Sequence, residues 1–133
     1  MVQAAVVGEN EEQRLLLRGL LRLYHFPVVF EGAQIRDLAR FVPAAGPVVL
    51  VLDIDAAVPG WEAELRAELN RHPDLRPLLL TPEPDPELAR RAKQAGVRGL
   101  LVRPFGIRQF VEAVHAVTNG VAPPGPSDPQ PPP

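Results

Sequence analysis

The chain has 133 residues, the length of one domain, and 46% of them are apolar, enough for a single buried core. Its formal charge of -2, with cationic side chains scattered along the sequence, leaves no basic footprint for nucleic acid; the absence of cysteine excludes disulfides, thiolate nucleophiles and thiolate metal ligands. No signal peptide and no long apolar run is visible, so the expectation is a cytosolic protein with neither membrane insertion nor direct nucleic-acid binding.

Residues 4–10, AAVVGEN, form a short apolar run ending in polar residues, the pattern of a buried strand; Asn10 then caps a helix with Gln13 at its third position. Leu16, Leu20 and Leu23 follow at helical spacing with Arg14, Arg18 and Arg22 on another face, and this helix should end near Tyr24 or His25. Residues 27–30, PVVF, suggest a second strand. Ile35, Leu38, Ala39 and Val42 mark a short amphipathic helix stopped by Pro43. The run VVLVLD at 48–53 is strand three; Trp61, Leu65 and Leu69 give the next helix; LLLT at 78–81 is strand four. Asp85-Pro86 is an N-cap followed by proline at the first helical position, and Gly96 is a natural stop for that helix. GLLV at 99–102 is strand five, and Ile107, Phe110, Val111 and Val114 build the last helix, closed near Gly120.

Five nearly continuous apolar strands alternating with five helices imply a doubly wound, five-stranded parallel α/β sandwich over residues 1–119. The stretch 120–133 holds seven of the seventeen prolines and is expected to be an extended tail or a linker. In such a sheet, function collects at the carboxyl ends of the strands, which here carry Gly8, Glu9, Asn10, Glu31, Asp53, Asp55, Thr81 and Arg103. A phosphate-binding loop would offer glycines or hydroxyls after strand one, whereas GENEE offers carboxylates. Glu9 and Asp53 could instead hold a hard divalent cation through oxygen ligands and waters, in the manner of magnesium. A carboxylate beside a cation, a hydroxyl and a guanidinium suits phosphoryl transfer to an aspartate. His25, His72 and His115 are too far apart to suggest a metal site, and neither a GxSxG nucleophile elbow, a P-loop nor an HExxH motif is present.

The motifs VVGENE, PVVLVLD, LLLT and AGVRGLLVRPF occur in the order and at the spacing of the CheY-like receiver domain of bacterial two-component response regulators, which the chain resembles from residue 2 to about 119. The resemblance implies that Asp53 matches the phosphate-accepting aspartate and Thr81 the hydroxyl that closes on the phosphoryl group. Arg103-Pro104 matches a Lys-Pro pair whose peptide bond is usually cis, and Asp55 would lend a backbone carbonyl to a magnesium ion held with Glu9 and Asp53. It also implies a histidine kinase or other signalling protein as partner, and a possible homodimer through the face built by the fourth helix, fifth strand and fifth helix.

The sequence departs from the family at three positions. Gly8 stands where a first acid usually precedes Glu9, Arg103 replaces the lysine, and Leu100 replaces the usual Tyr or Phe. Lys93 is the sole lysine, so a general preference for arginine accounts neutrally for Arg103, although a planar guanidinium is not a compact ammonium. The apolar run ending at Asp53 favours that residue as acceptor, while Pro59, four residues after Asp55, favours Asp55. Two functions follow: an atypical receiver phosphorylated on Asp53, or a pseudo-receiver that keeps the fold and acts as a constitutive interaction module. A flavodoxin-like small-molecule binder is a weaker third reading, because the first loop is acidic.

Overall fold

The computed structural model describes residues 2–42 and 46–119. The strands are β1 (Gln3–Gly8), β2 (Val28–Gly32), β3 (Val48–Asp53), β4 (Leu75–Thr81) and β5 (Gly99–Val102), and the α-helices are α1 (Glu11–Leu23), α2 (Trp61–Arg71), α3 (Pro86–Ala95) and α4 (Ile107–Thr118). All strand pairings are parallel, in the order β2-β1-β3-β4-β5. The expected doubly wound α/β sandwich is therefore the observed fold. The proline-rich stretch from Gly120 and the stop at Pro43 lie outside the described residues.

The sheet separates two apolar layers because side chains alternate along each strand. Ala5, Val7, Leu50, Leu52 and Leu79 face α2 and α3, whereas Ala4, Val6, Val49, Val51, Leu78 and Leu80 face α1 and α4. Both faces being covered, β1, β3 and β4 are apolar through their buried centres, Ala4–Val7, Val48–Leu52 and Pro77–Leu80, while the edge strands β2 and β5 are only partly buried. The helix caps act as their sequences imply. Asn10 Oδ1 accepts the Gln13 N–H at 2.9 Å, Asp85 Oδ1 accepts the Glu87 N–H at 3.0 Å, and Gly96 ends α3 in the left-handed region at φ 102°.

Two elements differ from expectation. The segment after β2 is a 3-10 helix, Ile35–Arg40, and Phe41 at its end has extended backbone, so it stops short of Val42. Helix α1 is rotated relative to the expected apolar face: Leu17 and Leu21 are buried, while Leu16 and Leu23 are 65% and 67% exposed. Leucines occupy positions 15, 16, 17, 20, 21 and 23, more than one face can bury, so periodicity alone leaves the rotation open. The observed rotation carries Arg14 and Arg18 to the edge of the buried face. There Arg14 donates to the carbonyls of Gly8 and Glu9, and Arg18 pairs with Glu31 at 3.0 Å.

The start of the 3-10 helix is held by Asp37, whose Oδ2 accepts the N–H groups of Gln34 at 2.9 Å and Ala33 at 3.1 Å. The Gln34 bond chiefly, with the Ala33 bond and the Arg40 guanidinium, outweighs desolvation and holds the Asp37 carboxyl below its ordinary value of 3.8. A depressed carboxylate contributes stability that is fully present above the ordinary value and is lost as pH falls through the lowered one. Asp37→Ala should therefore cost about 1 kcal/mol near neutrality. Urea melts at successively lower pH should show the wild type and variant converging at the acid end, and a difference independent of pH would contradict this assignment.

Candidate functional site

Strand register sets the site. Gly8 at the end of β1 lies opposite Asp53 at the end of β3; β4 and β5 end together at the Thr81–Val102 pair, and just beyond it the Arg103 N–H donates to the Thr81 carbonyl at 2.8 Å. Strands lie about 4.8 Å apart, so a side chain from the end of β5 must cross roughly 10 Å, the width of β4, to reach β3. Arg103 makes that reach: its guanidinium lies 3.0 Å from Asp53 Oδ1, with the two side chains 32% and 15% exposed. The Phe105 ring lies 5.9 Å from the same guanidinium carbon and stacks on Phe110. The Arg103–Pro104 peptide bond is cis.

Thr81, at the end of β4, is buried, and its hydroxyl donates to the Glu83 carbonyl at 3.0 Å, closing the turn into α3. Glu9 is exposed in the β1–α1 loop. Strand β3 ends at Asp53, leaving Asp55 exposed in the following loop, where its carboxylate accepts the Ala57 N–H at 3.0 Å and its carbonyl accepts the Val58 N–H at 3.1 Å. Glu9, Asp53, Asp55, Thr81 and Arg103 line one open groove of about 1020 Å3, to which Glu64, Glu83 and Asp85 add further carboxylates. Glu31 is absent from the groove lining, its carboxylate being paired with Arg18. Among the described residues, no three His, Cys, Asp or Glu side chains gather as a metal-ligating group.

Three further residues shape the groove, and of these sequence reasoning placed only Trp61, in the helix after the Asp53 loop. The Ala56 carbonyl accepts both the Trp61 indole N–H at 3.0 Å and an Arg91 N–H at 3.2 Å, while Arg91 also lies 3.1 Å from Glu62. This bracket ties the loop after Asp53 to both α2 and α3. Arg14 is the third, since its guanidinium holds the β1–α1 loop by two backbone carbonyls. Arg91 acts across 35 residues of sequence and Arg14 through backbone acceptors, so neither leaves a spacing signal. Leu100 is half-buried and packs against the apolar layer beneath α2 and α3.

No protein-family model matches the chain. It is 33% identical over 124 residues to the DNA-binding transcriptional activator DevR/DosR of Mycobacterium tuberculosis, covering 90% of this chain and 56% of that protein. It is 30% identical over 114 residues to the transcriptional regulatory protein DesR of Bacillus subtilis, covering 83% of this chain and 56% of that one. The chain thus spans about half the length of the curated relatives it matches. Among solved structures, the Vibrio cholerae chemotaxis protein CheY4 superposes with a TM-score of 0.73 at 24% identity, covering 88% of this chain and 98% of that one. The chain has the CheY-like receiver fold. Receiver domains are signalling modules rather than classical enzymes. Among the described residues, no helix of this receiver is long and apolar enough to cross a membrane.

The Asp53–Arg103 contact should be measurable within this receiver. A double-mutant cycle on Asp53→Asn and Arg103→Met is expected to give a coupling energy of about 1 kcal/mol in urea unfolding, since the pair is partly shielded from water. Additive effects of the two substitutions would show that the contact carries no energy.

Proposed function

We propose that this receiver is a constitutive interaction module of two-component signalling, in which Asp53 stays in its ion pair with Arg103 and undergoes no phosphorylation cycle. The observation that carries this reading is the 3.0 Å contact between Arg103 and Asp53, in a groove whose first loop offers only one acid, Glu9, on the site side of Gly8. A guanidinium keeps its charge at every physiological pH and matches the planar carboxylate, so it neutralises Asp53 without any added ligand. At position 100 a leucine has no hydroxyl to expose or hide, which mutes the inward swing by which an aromatic residue would report a change at Thr81. The face of α3, β5 and α4 would then be presented in one standing form, to a kinase, to another signalling protein or to a second copy of the chain.

A second reading has its own support. Asp53 lines an open groove beside Thr81, so a phosphohistidine could approach it. Its carboxylate oxygen would attack phosphorus, the P–N bond would break, and the imidazole would leave with a proton. In that case the charge of roughly -2 gained on the phosphoryl group would shift a pre-existing equilibrium of the same face.

Incubation with acetyl phosphate and magnesium, followed by intact mass and Trp61 fluorescence, separates the two. The interaction module predicts an unchanged mass and an unchanged spectrum. An adduct of about 80 Da that Asp53→Asn abolishes would instead establish the phospho-accepting receiver.

A further inference from the structure

Among the described residues, the outer face of α1 is left uncovered and apolar. We infer that it is a self-association surface, on which two copies of the chain pack their α1 helices antiparallel about a two-fold axis, with Leu16 of one copy over Gly19 of the other. The inference goes beyond the interaction-module reading and does not depend on the state of Asp53.

Four of the eight large apolar side chains exposed among the described residues, Leu15, Leu16, Leu23 and Tyr24, lie on α1 or at its C-cap. With about 100° between successive residues of a helix, Gly19 projects directly away from buried Leu17 and Leu21, and Leu15, Leu16 and Leu23 flank it. A solvent-facing helix surface is ordinarily polar. This one is an apolar seam whose glycine has no use within one copy. A Cβ on Gly19 would meet nothing within 4 Å, so crowding does not call for glycine there, although glycine weakens a helix interior relative to alanine. What it permits is the close approach of a second helix, whose leucine fills the gap.

Charge selects a second copy as the occupant. Glu11 in the first turn and Arg22 in the last lie on the Leu15 side of the seam, and among the described residues neither takes part in an ion pair. A two-fold axis between antiparallel helices brings the same flank of each together. Glu11 of each copy then meets Arg22 of the other, whereas a parallel pair would set like charges side by side. The same alignment carries Leu16 to Gly19 and Leu15 to Leu20. One helix face is smaller than the roughly 800 Å2 a side of a stable complex, so the association is reversible and depends on concentration.

Sedimentation equilibrium of the full chain up to about 500 µM tests the inference. The wild type should shift with concentration from the 14.5 kDa monomer toward twice that mass. Gly19→Arg, which improves helix propensity and fills the gap, should weaken association roughly tenfold or more, and Leu16→Gln should do the same from a position that is 65% exposed in one copy; circular dichroism checks that each variant folds. At low salt, Glu11→Arg and Arg22→Glu should each weaken the dimer roughly threefold, and the double reversal should recover wild-type association. A wild type that stays monomeric throughout would overturn the inference and leave the face to a helix of another protein. A dimer untouched by Gly19→Arg and Leu16→Gln would overturn it in favour of the α3–β5–α4 face, and a double reversal that associates no better than the single ones would overturn the antiparallel pairing.

Discussion

The site depends on one contact that spans a strand. Asp53 ends β3 and Arg103 immediately follows β5, strands that are not neighbours, and their ion pair closes over the end of β4. Backbone hydrogen bonds fix the register of adjacent strands but do not join β3 to β5 directly, so this side-chain bridge is the polar tie between them at the functional end of the sheet. With both side chains partly shielded from water, the pair is stronger than a freely solvated one and weaker than a wholly buried one would be in Coulombic terms. The parallel register delivers Thr81 and Gly8 to either side of Asp53, so the chemistry of the groove follows from strand alignment.

A second layer of order comes from the loops. The Ala56 carbonyl accepts hydrogen bonds from α2 through Trp61 and from α3 through Arg91. The loop that follows Asp53 is consequently fastened to the helix that forms one side of the α3–β5–α4 face. Arg14 fastens the loop after β1 in a similar way, through main-chain oxygens. Two of the loops around the carboxylate are thus anchored by a long cationic side chain from an adjoining helix, which favours a single standing arrangement of that part of the groove.

Much of this was legible in the sequence, for identifiable reasons. Buried parallel strands must be apolar on both faces, so VVLVLD displayed its length and its end, and the strand does terminate at Asp53. Asn10, Asp85-Pro86 and Gly96 carry their capping chemistry locally and function where expected. The convergence of Glu9, Asp53, Thr81 and Arg103 followed from strand order alone. What could not be read depends on tertiary choice. Six leucines in α1 permit several rotations, and the one adopted is decided by packing of Leu17 and Leu21 and by the acceptors that Arg14 and Arg18 find. The 3-10 form of residues 35–40 reflects an Asp37 cap that tightens the turn, which apolar spacing does not report.

The central claim is that Arg103 is held on Asp53 as a standing pair. Nitrogen-detected NMR of the arginine side chains tests it most directly, because a guanidinium clamped on a carboxylate rotates slowly and gives two separate terminal nitrogen signals. The account predicts split Arg103 signals in the wild type that merge in Asp53→Asn. A single averaged Arg103 signal in the wild type, like that of an exposed arginine, would contradict it.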